Sequence, residues 1–307
     1  MKLGEAARQR RLVTLELIPD RVVQGDIRRL TGRVDAVTIP ALTNHSHDPS
    51  YPAAFKVSPQ QRSVASALIV RRMGLEAVAT LTCRDCRRSE LPGVLDSRKG
   101  SLDNVLVVFG DPFLGDRRGV YEFGRSEYLI RELSRTFDGG GPCVGAITNQ
   151  HSVDGEAEVS RTLAKVEAGA DFVITNITFD PESILPHRDA LLSAGLDVPL
   201  FIQVSIPHSL ENLLFVSRRF GIPFSARARR KLEGGAFDAG VSLAAETFEA
   251  LRTEASGVHF SYLLRKRSPV SAYCSLLDRL GMRTESGLTM SAEARLPPGT
   301  RRVGPEA

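Results

Sequence analysis

Short apolar runs, separated by stretches long enough to form a helix, recur along the whole chain. The 307 residues contain eight of these runs: Leu12–Ile18, Ala36–Ile39, Glu76–Leu81, Asn104–Phe109, Cys143–Ile147, Asp171–Thr175, Pro199–Val204 and Gly257–Phe260. Strand-length apolar runs that alternate with amphipathic helices are typical of parallel α/β folds. Eight such units fit one (β/α)8 barrel, or TIM barrel, which needs about 250 residues plus extensions. We therefore predict an α/β fold of this class.

Four helix-length segments support this prediction, because each is followed by the glycine that commonly ends a helix. They are Gln60–Met73, Glu156–Ala168, Pro181–Ala194 and Ser209–Phe220. We find no linker typical of a domain boundary, so residues 1–288 are predicted to form a single barrel domain. Residues 289–307 are polar and rich in proline, and we expect them to form a flexible C-terminal tail.

Composition excludes several classes of protein. No run of about 18 apolar residues is present, so we expect no membrane-spanning helix. The first twenty residues do not have the pattern of a signal peptide, which predicts a cytoplasmic protein. The net charge is only +4 and aromatic residues make up 6% of the chain, so no nucleic acid is expected as a partner.

Two local clusters have simple explanations. Cys83 and Cys86 have the C-x-x-C spacing, but no second ligand pair accompanies them, so we predict no metal site and do not favour a redox role. The basic segment 227–231 is interpreted as a solvated helix face, with contact to an anionic ligand as the alternative.

Candidate functional residues follow from the rule that a barrel of this type carries its active site at the C-terminal ends of the strands. Residues of suitable chemistry at or near those ends are Glu16, Thr38, Thr82, Asp111, His151, Asn176, Gln203 and His259. Glu16 interrupts an otherwise apolar strand, so it is either a general acid with a raised pKa or a rim residue paired with an arginine.

The other candidates also have structural alternatives. Asp111, before a proline, and Asn176, after a strand, could each simply form a turn. His151 and His259 are more often structural than catalytic when they occur singly. Lys165 could meet a phosphate or remain solvated.

Seven short motifs, in order, resemble those of the methylenetetrahydrofolate reductase family, a flavin-bearing (β/α)8 barrel. The resemblance runs from about Val13 to Arg283. The segments that carry it are Leu15–Pro19, Val37–Pro40, Thr80–Asp85, Val108–Pro112, Lys165–Asp180, Val204–Pro207 and His259–Arg265. Lys165–Asp180 is the best match, with Asn176 where the family has glutamine.

The resemblance implies a role for each matching residue. Glu16 would protonate the folate and open its imidazolidine ring to an iminium, while Asp111, Asn176 and Gln203 would bind the pterin. The positions implied to bind FAD are Thr38, Thr80, Phe109, Gly110, Asp111, Gly124, His151 and Lys165. The reductant would be NADH or NADPH, and the substrate a folate-type pterin.

Several positions depart from the family pattern. Thr80 stands for histidine, Phe109 for arginine, Ser261 for tyrosine and Leu264 for asparagine. The helix that carries Lys165 has Glu158, Arg161 and Ala164 at about the positions of the family's Asp, Asn and Arg. Most of these are cofactor contacts, so pterin binding is better supported than flavin binding.

The predicted function is therefore reduction of 5,10-methylenetetrahydrofolate, or a related methylene-pterin, to the 5-methyl form, with hydride relayed from NAD(P)H through a flavin. The alternative is a flavin-free pterin-binding methyl-transfer enzyme. A further alternative is a subunit of a one-carbon enzyme complex. For its assembly we expect either a homo-oligomer or membership of such a complex.

Overall fold

The computed structural model is a closed barrel of eight parallel strands in sequence order. It describes residues 1–19, 24–41, 58–95, 102–110, 121–137, 140–235, 237–262 and 269–282. The strands are β1 (Leu12–Glu16), β2 (Ala36–Ile39), β3 (Glu76–Thr82), β4 (Asn104–Val108), β5 (Cys143–Thr148), β6 (Phe172–Thr175), β7 (Leu200–Ser205) and β8 (Gly257–Ser261). β1 pairs with both β2 and β8, which closes the barrel. The predicted (β/α)8 barrel is confirmed.

Helices follow most of the strands. They are α1 (Leu3–Ala7), α2 (Gln24–Leu30), α3 (Pro59–Arg72), α4 (Leu91–Val94), α5 (Ser126–Phe137), α6 (Gly155–Glu167), α7 (Leu185–Ser193), α8 (Leu210–Phe220), α9 (Ala226–Glu233), α10 (Phe237–Leu251) and α11 (Val270–Arg279). The predicted helix over Pro181–Ala194 is divided, because Pro181–Ser183 forms a 3-10 turn before α7 begins at Leu185.

The local sequence explains where the helices start. Ser58 and Gln61 form a capping box at the start of α3, and the side chain of Asp154 accepts a hydrogen bond from the backbone N–H of Ala157 at the start of α6. Gly221 takes the left-handed conformation that ends α8.

The core has two parts because successive strand residues face opposite sides. Side chains that face outward from the barrel, such as Leu15, Val37 and Val107, pack in the largest apolar cluster together with the helices. Side chains that face inward, such as Leu12, Phe172 and Phe201, pack in a second cluster with Leu3 and Ala7 of α1. Helix α1 therefore closes the N-terminal end of the barrel, and the C-terminal end is left for the site.

The pairing registers shift by eight residues over one circuit of the barrel, the shear expected of a TIM barrel. Inward-facing side chains of such a barrel lie in layers of four from alternate strands. Three successive layers toward the C-terminal mouth are, from the inside outward, Thr38, Leu106, Ile174 and His259; then Glu16, Thr80, Ile147 and Gln203; then Pro40, Val108, Asn176 and Ser261, beyond which the strand ends Thr82 and Ser205 lie still nearer the mouth.

No described helix has the length and apolar character needed to cross a membrane. The predicted tail, residues 289–307, lies outside the described residues.

Candidate active site

The carboxyl group of Glu16 lies inside the barrel mouth. Its strand neighbour on one side is Thr38, and on the other side Leu15 pairs with Phe260, so that Glu16 lies beside Ser261. The side chain is half-buried, and no hydrogen bond or ion pair to its carboxyl group is found within the described part of the chain. Burial raises the pKa of Glu16 to about 7. The arrangement fits the predicted acid better than a rim residue paired with an arginine.

The backbone of Glu16 is held from the helical layer. The hydroxyl of Tyr273, on α11, donates a hydrogen bond of 2.8 Å to the carbonyl oxygen of Glu16. Tyr273 is fully buried, and its ring packs edge-on against Tyr262 at 6.4 Å. Sequence reasoning did not identify Tyr273, because no local pattern reveals which strand a helix residue will meet.

The mouth has one polar wall and one apolar wall. The polar wall comprises β7, β8, β1, β2 and β3, with the inward side chains Gln203, His259, Ser261, Glu16, Thr38 and Thr80. The apolar wall comprises β4, β5 and β6, with Leu106, Val108, Ile147 and Ile174. A flat heterocycle with polar edges suits this division, because its face can pack on one wall while its edge hydrogen-bonds to the other.

Three hydroxyl groups of the polar wall are buried and have no hydrogen-bond partner among the described residues. They belong to Thr38, Thr80 and Ser261. A buried polar group left without a partner costs about 1–3 kcal/mol, so such groups in a pocket point to a bound ligand or an ordered water. Ser261 was not among the predicted site residues, although the period-two alternation places it on the same face as His259.

His259 lies deeper than its predicted place at the strand end. Its Nδ1 is 2.9 Å from the hydroxyl of Thr14, and the side chain is buried within the barrel. Burial lowers the pKa of His259 to about 4, so the ring is neutral near pH 7. It can exchange hydrogen bonds with a ligand but cannot supply a positive charge.

Asn176 joins the loops after β5 and β6. Its amide Nδ2 donates to Oδ1 of Asn149 at 3.0 Å, and its Oδ1 accepts from the backbone N–H of Ile177 at 2.7 Å. Nε2 of His151 lies 2.8 Å from the carbonyl oxygen of Ile177, and burial lowers the pKa of His151. Asn176 therefore closes a turn, but it still lies in the outermost of the three layers, where one lone pair and one N–H remain for a ligand.

Lys165 is bound to the barrel rather than extended toward solvent. Its Nζ donates a hydrogen bond of 2.6 Å to the carbonyl oxygen of Ile147 and lies 3.9 Å from Glu158. Burial lowers the pKa of Lys165. Glu158 in turn forms an ion pair with Arg161 at 2.8 Å and accepts a hydrogen bond from the backbone N–H of Asn149. The cations of α6 thus have protein partners.

The predicted cofactor residues near β4 are only partly described. Phe109 packs against the outer core, and its ring lies 5.5 Å from that of Tyr121. Gly110 has a φ of +88°, and a Cβ there would approach the side chains of Thr82 and Arg84, which explains the glycine. Gly124 is exposed. Asp111 and Leu264 lie outside the described residues, so the prediction for Asp111 stays a prediction.

A flavin needs hydrogen-bonding groups for its ring and positive or N–H groups for its diphosphate. The unpaired hydroxyls of Thr38 and Thr80 suit a ring. The diphosphate would meet a lysine already bound to Ile147, and an uncharged Phe109 where the family has arginine. The described residues fit a heterocyclic ring but do not fit the diphosphate of FAD in this arrangement.

The two local clusters have structural roles in the described chain. Cys83 and Cys86 are buried free thiols; burial raises the pKa of Cys83 to about 12, which disfavours a reactive thiolate. In the basic segment, Arg227 and Lys231 both form ion pairs with Glu246. No group of three or more metal-ligating side chains is found among the described residues.

Comparison with known proteins gives one family. The profile of the family described as methylenetetrahydrofolate reductase matches residues 3–275. The 5,10-methylenetetrahydrofolate reductase of Salmonella typhimurium is 33% identical over 135 residues, which cover 43% of this chain and 44% of the relative. The Escherichia coli enzyme of the same name is 34% identical over 134 residues, covering 42% and 43%. The aligned part thus spans less than half the length of these relatives.

A solved structure has the same fold. It is an uncharacterized protein from Clostridium thermocellum that binds two copies of 5-methyl-5,6,7,8-tetrahydrofolic acid. The two chains superpose with a TM-score of 0.63 at 14% identity, over 90% of this chain and 96% of the other.

Proposed function

This chain belongs to the methylenetetrahydrofolate reductase family, and we propose that it reduces 5,10-methylenetetrahydrofolate, or a related methylene-pterin, to the 5-methyl form. The observation that carries the proposal is Glu16. A carboxyl group with a pKa of about 7 and no partner among the described residues, in a mouth with one polar and one apolar wall, is suited to protonate a bound heterocycle near neutral pH.

In the proposed reaction Glu16 donates its proton to N10 of the methylene-pterin. The bond between N10 and the bridging carbon breaks, its electron pair stays on N10, and a cationic iminium forms at N5. A hydride then adds to the bridging carbon and gives the N5-methyl group. One hydride and one proton are consumed, and Glu16 regains its proton from solvent.

The residues around Glu16 would orient the substrate. The ring face would pack on Val108, Ile147 and Ile174 of the apolar wall, while Gln203 would hydrogen-bond its polar edge. We include Asn176 and Asp111 among these contacts on the strength of the family resemblance. Water would be excluded from the iminium, which it would otherwise hydrolyse.

The hydride source we propose is NADH or NADPH. FAD, when bound, would relay the hydride, and its ring would be held at Thr38 and Thr80; Gly110, Gly124 and His151 are further contacts that the family resemblance implies. Because Lys165 is committed to Ile147 and Glu158, we propose that the flavin is held loosely. Each charge-assisted hydrogen bond that is missing weakens binding by roughly 1.5–3 kcal/mol, or about tenfold or more.

Substitution of Glu16 tests the proposal directly. Glu16→Gln should fold and still bind 5-methyltetrahydrofolate, but it should reduce the methylene-pterin about 10²–10⁴-fold more slowly, the usual contribution of general acid catalysis. Glu76→Gln is the matched control, because Glu76 is a half-buried carboxyl at the start of β3, at the opposite end of the barrel from the mouth. An active Glu16→Gln enzyme would remove the proposed acid.

A second candidate is a pterin-binding protein without redox chemistry, such as a methyl-transfer enzyme or a subunit of a one-carbon complex. This candidate is favoured because the amino group of Lys165 is already hydrogen-bonded to the carbonyl oxygen of Ile147 and not extended toward a flavin diphosphate. The ligand named for the Clostridium thermocellum protein, 5-methyltetrahydrofolate, is the probe. An absorbance spectrum before and after desalting separates the two. A protein that keeps a full complement of flavin contradicts loose binding, whereas one that is colourless, binds the pterin and oxidises no NAD(P)H supports the second candidate.

Cytoplasmic location and self-association belong to the same proposal. Cell fractionation and light scattering of the purified protein would test them.

A further inference from the structure

Ser261 is a buried hydroxyl on the polar wall, next to the proposed acid. It ends β8, its side chain is inaccessible to solvent, and its Oγ has no hydrogen-bond partner among the described residues. It shares its strand face with His259, which faces the inside of the barrel. Since β8 pairs with β1 at Leu15 and Phe260, the next residues along the two strands, Glu16 and Ser261, are neighbours.

One row of paired neighbours crosses four strands obliquely, from one layer to the next: Ser205, Ser261, Glu16 and Thr38. The two serines of the row differ in the hydrogen bonding of their hydroxyl groups. Ser205 donates its hydroxyl to the carbonyl oxygen of Ser261 at 3.3 Å, whereas the hydroxyl of Ser261 has no described partner. The Ser205 contact thus holds the backbone of β8, while the Ser261 hydroxyl on the same strand lies beside Glu16 without a described hydrogen-bond partner.

We propose that Ser261 is a substrate-positioning residue, whose hydroxyl hydrogen-bonds the pterin beside the atom that Glu16 protonates. The inference rests on the proposed function and adds to it a residue on β8. The family motif has tyrosine at this position, so the contact belongs to this chain.

The competing explanation is a structural hydroxyl held by ordered water. The two explanations predict different results when the hydroxyl is removed. A hydroxyl that binds substrate can be lost without harm to the fold, since a buried polar group without a protein partner does not stabilise the folded state. Its loss would weaken ligand binding. A hydroxyl that only holds water would leave the affinity for substrate unchanged.

The test compares Ser261→Ala with Ser205→Ala in the full chain, with 5-methyltetrahydrofolate as the titrated ligand. Ser261→Ala should bind about three- to tenfold more weakly, the usual effect of one neutral hydrogen bond, with an unchanged or higher unfolding temperature. Ser205→Ala should keep its affinity and unfold at a lower temperature. Ser261→Thr, which keeps the hydroxyl on a side chain that favours strands, should restore the binding.

The outcomes separate this inference from the function on which it rests. If the wild-type protein does not bind 5-methyltetrahydrofolate, the proposed function and the role of Ser261 both fail. If the wild type binds and Ser261→Ala binds within twofold of it, only the role of Ser261 is overturned. A kinetic readout adds a further check, because a positioning residue should lower kcat/KM for the methylene-pterin in Ser261→Ala and not in Ser205→Ala.

Discussion

Glu16 loses water on folding without gaining a partner in the part of the chain that the structure describes, and this loss of water explains its raised pKa. Burial alone shifts it from 4.5 to about 7, because a low-dielectric environment disfavours the charged form of a carboxyl group. An acid poised near the working pH gives the best combination of protonated fraction and proton-transfer strength. The desolvation that makes Glu16 costly to ionise also keeps it protonated near neutral pH, as a general acid requires.

The rate should therefore depend on pH in one direction. Only the protonated form of Glu16 can act, so kcat/KM should be constant well below pH 7 and fall about tenfold per unit well above it. A pH profile with a constant concentration of NAD(P)H would measure the apparent pKa. A rate that stays level through pH 8 would show that another group supplies the proton.

Glu16 should also limit stability at alkaline pH. Its pKa is higher in the folded state than in the unfolded state, so the folded state binds more protons and the free energy of unfolding falls as pH rises from about 4.5 to 7. At pH 8, Glu16→Gln should be more stable than the wild type by at most about 3 kcal/mol, since one pKa unit is worth about 1.4 kcal/mol. The difference should vanish near pH 4.

Urea unfolding at pH 4.5 and pH 8 would measure this change. A stability difference that is the same at both pH values would mean that the carboxyl group of Glu16 is solvated in the folded protein.

Sequence reasoning placed several residues of the mouth correctly because alternation and the strand-end rule are strong constraints. Glu16, Thr38 and Gln203, predicted at strand ends, do face the inside of the barrel in neighbouring layers, as does Thr80, which the family resemblance implied. Partners of individual side chains did not follow from the sequence. Nothing in the pattern around Lys165 reveals that its amino group will reach the carbonyl oxygen of Ile147, because that depends on how α6 packs on β5.

At the scale of elements, α6 shows how a helix can match a family motif and still differ in its interactions. In this chain Lys165 joins α6 to β5, so Lys165→Met should lower the free energy of unfolding by about 1–3 kcal/mol, because it leaves the carbonyl of Ile147 without its partner. It should change flavin and pterin affinity little. Arg229→Ala is a suitable control, since its ion pair with Glu233 is exposed.

Denaturant titrations of Lys165→Met and Arg229→Ala would measure the free energy of unfolding, and ligand titrations of the same variants would measure flavin and pterin affinity. A Lys165→Met protein with unchanged stability and a large loss of flavin affinity would restore the role that the family resemblance implies.

Helix α1 was not predicted, because five residues are too few for a clear periodic pattern. Its importance comes from tertiary packing. Leu3 and Ala7 are buried against Leu12, Phe172 and Phe201 at the N-terminal end of the barrel. Elements of this kind follow from the closed sheet, since the interior of the barrel has to be covered at the end that does not carry the site.

For the whole molecule, strand order and barrel closure were predictable, while strand ends were placed within one or two residues. The pairing registers then determine which side chains share a layer, and those registers are a property of the assembled sheet. The division of the mouth into a polar and an apolar wall follows only once the layers are known. It explains how residues from five separate strands can meet one substrate.

Helix α11 and the residues that follow it contact the start of the chain, and these contacts predict where the chain can be shortened. Arg33 donates from Nε to the carbonyl oxygen of Met282 at 2.8 Å and forms an ion pair with Asp278. Tyr273, Leu276 and Leu277 are fully buried, and Tyr273 holds the backbone of Glu16. These contacts join the end of the described chain to the region between α2 and β2 and to the end of β1.

A chain that ends at residue 288 should therefore unfold at the same temperature as the full chain and bind 5-methyltetrahydrofolate equally well. A chain that ends at residue 268 lacks α11, exposes the outer face of the barrel near β1 and β8, and should not fold, because removal of a single large buried side chain already costs about 2–5 kcal/mol. Thermal unfolding of both truncated chains measures the difference. Loss of stability in the longer one would place part of the folding unit within residues 289–307.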